Sequence, residues 1–140
     1  MQLFSHDTKA DALGLCPFFA GLSRKELGEL AKRTEDLEVE AGKALAREGE
    51  PGSEFFVIVE GEVSVTKDGQ EIRTLGPGDF FGEIALIEDR PRTATVTAKT
   101  PLRFFVLTRQ NFRSLLQQQP ELEEKVIRAL EERVRATEQV

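Results

Sequence analysis

Between residues 36 and 108 the chain alternates short apolar runs with Gly, Pro and Asp-Gly punctuation, and that rhythm leaves few folds open. Leu37 and Val39 alternate with acids, and Ala44-Leu45-Ala46 leads into Gly49. Phe55 to Val59 is a continuous apolar run, the pattern of a strand covered on two faces. Val63 and Val65 alternate with Glu62, Ser64 and Thr66, one face buried and one wet. Asp68-Gly69 is a hairpin turn, with Ile72 and Leu75 on the returning strand. Val96 and Ala98, then Leu102 to Leu107 after Pro101, complete the set. About eight short strands with this punctuation specify a sandwich or jelly roll.

The flanks change period. Residues 1–11 read as a mobile polar lead-in. Pro17-Phe18-Phe19 and Leu22 prime a short helix capped by Ser23, with Glu26 completing a capping box and Leu27, Leu30 and Ala31 as its apolar stripe. Phe112, Leu115 and Leu116 mark a helix opened near Thr108 and closed by Gln117-Gln118-Gln119. Pro120 then starts a second helix, with Glu121, Glu123 and Glu124 in its first turns, where the helix dipole favours acids. Leu122, Val126, Ala129, Leu130 and Val134 form a stripe on it. At 140 residues, 39% hydrophobic with ten Phe, the chain can build one core. The expected fold is mainly β with flanking helices. It is an eight-stranded jelly-roll β-barrel over about 36–108 with an N-terminal helix and two C-terminal helices over about 109–139, all in one domain spanning 12–140.

Composition removes several classes of function. A net charge of −6 speaks against a nucleic-acid-binding surface on this chain. Cys16 is the only cysteine, so there is no intramolecular disulfide and no cysteine metal cluster, which fits a reducing cytoplasm. The only histidine is His6, so the His-rich metal site of a cupin-type enzyme is missing. Ser5 to Lys9 lacks the apolar core of a signal peptide, and no apolar run approaches the ~20 residues of a membrane span. A soluble, cytoplasmic protein is the expectation, with no metal and no catalytic cofactor.

The segment from Phe80 to Val96 carries the chemistry. It sets Gly82 at a tight turn and the carboxylate of Glu83 beside it, followed by the one-turn apolar helix Ile84-Ala85-Leu86 and, nine residues past the carboxylate, Arg92. Backbone N–H groups at a short helix start and a turn make an anion-binding concavity. Arginine adds a planar fork of donors matched to phosphate oxygens. Glu83 repels a phosphate and must accept hydrogen bonds from hydroxyls instead. The set suits a small ligand that carries both a phosphate and ribose-like hydroxyls. The plainer alternative is a group of turn glycines with an ordinary Glu83–Arg92 surface ion pair.

At these residues the chain resembles the cyclic nucleotide-binding domain family, which includes bacterial cyclic-AMP receptor proteins and kinase regulatory subunits. Phe81-Gly82-Glu83-Ile84-Ala85-Leu86 and Arg92-Thr93-Ala94-Thr95 match that family's phosphate-binding cassette without gap or substitution. Gly49-Glu50-Pro51-Gly52-Ser53-Glu54-Phe55-Phe56-Val57-Ile58-Val59-Glu60-Gly61 is similar to its upstream strand signature, and Gly76-Pro77-Gly78-Asp79 to the turn entering the cassette. The resemblance covers about residues 13–139.

It implies a non-catalytic sensor that binds cyclic AMP, with cyclic GMP second, and repositions its C-terminal helix. Arg92 would pair with the phosphate oxygens, helped by backbone N–H groups of Ile84, Ala85 and Ala94. Glu83 would accept from the ribose 2′-hydroxyl, and Gly82 would let the backbone approach the sugar. Thr93 would bond the phosphate or the purine edge, and Val65 would form an apolar wall beside the base. Thr137, 17 residues beyond Pro120, lies at the offset of a base-contacting threonine in the bacterial receptors. A homodimer through the last helix is the implied assembly, and the effector is unknown. A hydrolase would need a nucleophile, base or metal near the phosphate, which Arg92 and Thr93 do not supply. DNA binding would need a further domain after the final helix, and the absence of Trp and Tyr disfavours sugar binding. The alternative is a ligand-silent jelly-roll module for dimerisation or protein docking.

Overall fold

The computed structural model describes residues 6–136 and contains eight strands and four α-helices. The strands are β1 (Glu35–Val39), β2 (Ala44–Ala46), β3 (Glu54–Glu60), β4 (Val63–Lys67), β5 (Gln70–Leu75), β6 (Phe80–Phe81), β7 (Thr95–Ala98) and β8 (Leu102–Thr108). Two α-helices precede them, α1 (His6–Gly14) and α2 (Arg24–Lys32), and two follow, α3 (Arg109–Gln118) and α4 (Pro120–Ala136). Short 3-10 helices span Pro17–Phe19 and Glu83–Leu86.

The strands form two four-stranded antiparallel sheets, ordered β1-β8-β3-β6 and β2-β7-β4-β5. This corrects the expected barrel, because no ladder joins the two sheets among the described residues. Only an isolated bridge between Pro51 and Pro91 lies outside the named strands. The N-terminal side also departs from expectation. It holds two α-helices rather than one, and α1 begins at His6, inside the segment read as a lead-in.

The apolar run of β3 has the two-faced role its sequence predicts. Phe55 and Val57 stand opposite Leu107 and Phe105 of β8, and all four face the helices in one core cluster with Phe18, Phe19, Leu86, Phe112 and Leu115. Phe56, Ile58, Phe104 and Val106 point the other way, into a second cluster between the sheets with Val63, Val65, Val96 and Ala98. A strand's side chains alternate with period 2, so a strand sandwiched between layers must be apolar throughout. Leu37 and Ile72 remain 43% and 52% exposed, because β1 and β5 are edge strands.

Local chemistry sets the boundaries. Ser23 accepts from the Glu26 N–H while the Glu26 side chain accepts from the Ser23 N–H, so the capping box forms. The Thr108 hydroxyl caps α3 by accepting from the Asn111 N–H. Asp68 and Gly69 both have positive φ, 53° and 81°, as the tight β4–β5 hairpin requires. Leu122, Val126 and Leu130 of α4 are buried in the helix-side cluster, so most of the α4 stripe is satisfied within this chain.

Candidate functional site

β6 sets up the site. Phe81 pairs with Phe56 of β3, and their rings stack at 4.6 Å. The chain then turns sharply at Gly82, whose φ is 84°. A Cβ there would lie 2.6 Å from the Glu54 carbonyl oxygen and 2.8 Å from Arg92 Nη1, so the position needs glycine twice over. The Glu83–Leu86 helix follows, closed by Ala85 N–H donating to the Gly82 carbonyl at 3.1 Å and Ile87 N–H to that of Ile84 at 3.1 Å. All four of its residues are buried.

Arg92 arrives from the next loop. That loop is laced to the β2–β3 connection, with Arg92 N–H donating to the Glu50 carbonyl and Gly49 N–H to the Arg92 carbonyl, both at 2.9 Å. The Arg92 guanidinium is buried, with Nη2 donating to the Glu54 carbonyl at 2.9 Å and lying 3.6 Å from the Glu54 carboxylate. It sits over the Phe56 ring at 5.9 Å and against the Cα of Gly52, where a Cβ would fall 1.9 Å from Nε. Burial pulls its proton affinity below the ordinary value, Glu54 opposes that, and Arg109 adds to it. It stays a cation at neutral pH.

Glu83 is fully buried. Its Oε2 accepts from Arg133 of α4, with Nε and Nη2 each at 3.0 Å, and the Arg133 guanidinium lies over the rings of Phe18 and Phe80. Two buried polar atoms, Glu83 Oε1 and Arg92 Nε, have no hydrogen-bond partner among the described residues. Glu83 and Arg92 therefore do not form the ordinary surface pair of the plainer reading. Each is buried with a different partner. The arrangement offers one carboxylate oxygen to a hydroxyl donor and one guanidinium to an anion, both beside Gly82.

Burial raises the Glu83 pKa above the ordinary value of 4.5, against the pull of its own backbone N–H, Arg133 and Arg73. The nearby Cys16 thiol is pushed up to about 12 by burial and by the Glu83 charge, and stays protonated. Between pH 4.5 and the raised native value, the folded chain therefore holds a proton on Glu83 that the unfolded chain has released. Stability from this group is complete below pH 4.5 and declines as pH rises through the raised native value. Glu83→Gln should remove that decline: urea unfolding of parent and variant at pH 4 to 8 should show the variant gaining relative to the parent as pH rises. A constant offset between the two curves would count against it.

The remaining sequence-predicted residues sit as follows. Ile84 and Ala85 are buried in the short helix, and the Ala85 N–H is engaged by Gly82. Ala94 is buried between the sheets, and Thr93 is half-buried beside it. Val65 is wholly buried in the same between-sheet cluster. Thr137 lies outside the described residues. Sequence reasoning missed Glu54 and Arg133. Arg133 had a signal, since Val126, Leu130 and Arg133 share one helical face, and a cation on an apolar stripe needs a partner. Among the described residues, no His, Cys, Asp or Glu cluster of three or more could hold a metal ion. No described helix is long and apolar enough to cross a membrane.

Residues 36–119 match the family model described as "Cyclic nucleotide-binding domain". The chain is 43% identical over 102 residues to the cAMP-dependent protein kinase regulatory subunit of Yarrowia lipolytica, covering 71% of this chain and 27% of that protein. It is 30% identical over 132 residues to a CRP-like cAMP-activated global transcriptional regulator of Mycobacterium tuberculosis, covering 91% of this chain and 59% of that one. The chain thus spans less than two thirds of either relative. Among solved structures, the N-terminal domain of a transcriptional regulator from Streptomyces coelicolor A3(2) superposes with a TM-score of 0.79 at 32% identity, covering 89% of this chain and 91% of that one. The matched segment contains both Glu83 and Arg92, the two buried groups that flank the Gly82 turn, and on these grounds the chain belongs to the cyclic nucleotide-binding domain family.

Proposed function

We propose that this chain is a non-catalytic sensor that binds cyclic AMP, with cyclic GMP second, and answers by repositioning α4. The observation that carries the reading is the buried Glu83–Gly82–Arg92 arrangement, with an unpartnered acceptor on one side chain and an unpartnered donor on the other. Arg92 takes the cyclic phosphate, with backbone N–H groups of Ile84, Ala85 and Ala94 around it. The Ala85 N–H bonds the Gly82 carbonyl at 3.1 Å in this state. Glu83 accepts from the ribose 2′-hydroxyl, and Gly82 admits the sugar. Thr93 takes the phosphate or the purine edge, Val65 backs the base, and Thr137 contacts it.

Both groups are held by the protein in this state, Arg92 by Glu54 and Glu83 by Arg133. A ligand hydroxyl on Oε1 of Glu83 shares that carboxylate with Arg133 of α4, which gives it different affinity for two positions of that helix. Such a difference is what a conformational response requires. Pairing of α4 with a second copy would use the surface left outside its buried stripe.

Calorimetric titration with cyclic AMP and cyclic GMP, with 5′-AMP as control, tests the reading. Saturable heat with a cyclic nucleotide and none with 5′-AMP is the expected result, together with a ligand-dependent rise in Tm. No heat with either cyclic nucleotide would replace the sensor with a ligand-silent docking module.

A further inference from the structure

Arg109 is the first residue of α3, where the positive end of the helix dipole disfavours a cation. Its side chain turns away from its own helix. Nε donates to the Ala85 carbonyl at 2.7 Å, and Nη2 donates to the carbonyls of Gly52 at 2.9 Å and Glu88 at 3.2 Å. The Asp89 carboxylate lies 3.8 Å from Nη2. These carbonyls belong to separate segments, the β2–β3 connection and the Glu83–Leu86 helix with the residues after it. Gly52 abuts the Arg92 guanidinium and Ala85 follows Glu83 by two residues, so the two segments are the two walls of the candidate site.

From this geometry we infer that Arg109 is a positioning residue, a clamp that holds the Gly52 wall and the Glu83–Leu86 wall in register and joins both to the start of α3. The inference rests on the nucleotide-binding reading for its consequence, and deepens it by naming how the pocket is braced. A forked, planar, permanently charged donor is the side chain that can satisfy carbonyls from two segments at once. A lysine at 109 would keep the charge in a single nitrogen. Arg109 also adds positive potential at Arg92, so charge and geometry must be separated by experiment.

The test compares the parent chain with R109K and R109M. Cyclic AMP affinity is measured by calorimetry, and amide hydrogen exchange is followed in the ligand-free proteins. R109M should weaken cyclic AMP binding about tenfold, the effect of losing hydrogen bonds to a charged group, and R109K should not restore it. Exchange should quicken together at Ala85, Ile87 and Glu88 on one wall and at Gly49 and Arg92 on the other, while the β3 and β8 amides keep the parent's rates. Parent-like affinity in R109K would show that only the charge matters, and would overturn the clamp. Equal quickening in β3 and β8 would also overturn it, as a general loss of stability. If the parent itself binds no cyclic nucleotide, the sensor reading falls, yet the exchange data still decide the clamp: joint quickening of the two walls in R109M supports it, and unchanged walls refute it.

Discussion

Arg92→Ala should cost ~2 to 5 kcal/mol of cyclic AMP binding, as for a buried charge pair that loses one partner. That is roughly thirtyfold to several thousandfold in Kd. The guanidinium is almost wholly buried, its Nε has no partner among the described residues, and its polar partners described above are the carbonyl and the carboxylate of Glu54. A bound phosphate would give this incompletely satisfied cation the further partner it lacks. The gain is therefore concentrated in the complex. The ligand-free protein should lose much less, because the Glu54 carboxylate is 43% exposed and water can solvate it once Arg92 is gone. Calorimetry for affinity and urea unfolding for stability separate the two effects. A variant that bound as tightly as the parent would remove Arg92 from the phosphate site.

A second large effect is expected at Gly82. Alanine there must adopt a φ of 84°, and its Cβ would meet the Glu54 carbonyl oxygen at 2.6 Å, a backbone atom fixed in β3. Left-handed strain and a clash with backbone together should cost ~2 to 4 kcal/mol of stability. Gly52→Ala makes the useful contrast. Its nearest obstacle is the end of the Arg92 side chain, 1.9 Å from the added Cβ, and its φ lies outside the left-handed region. That variant should keep most of the parent's stability but displace the guanidinium, so its Kd for cyclic AMP should approach that of Arg92→Ala. Thermal unfolding and calorimetry on both variants decide the matter. If Gly82→Ala melts with the parent, the turn is slacker than its contacts indicate. If Gly52→Ala binds normally, the position of Arg92 at the Gly52 wall is not the binding position.

Much of the β framework was legible because its signals are local. A two-residue turn at Asp68-Gly69 needs positive φ at both positions, and those residue types tolerate it. The capping box at Ser23 and Glu26 is a four-residue device, and Pro120 starts α4 as the spacing predicts. The apolar run of β3 announced a strand covered on two faces, and the structure supplies helices on one and the second sheet on the other. Barrel closure was not legible. It depends on whether edges β1 and β6 of one sheet bond to β2 and β5 of the other, and no residue pattern within a strand encodes that pairing. The start of α1 at His6 was missed because His6 to Lys9 carries no apolar periodicity, and only Ala10 and Leu13 show the face that packs.

The candidate site divides the same way. The sequence alone determined that a glycine, a carboxylate and an arginine stand around one turn at 82, 83 and 92, because motif spacing and turn conformation are properties of adjacent residues. Only the tertiary structure decided what each charge touches. Glu83 is held by Arg133, 50 residues away, Arg92 by Glu54, 38 away, and the Gly52 wall by Arg109, 57 away. A buried charge takes its partner from whatever the packing of layers brings within about 4 Å, and for this chain that is set when α4 and the start of α3 close against the Glu83–Leu86 turn and when the loop carrying Arg92 meets the β2–β3 connection.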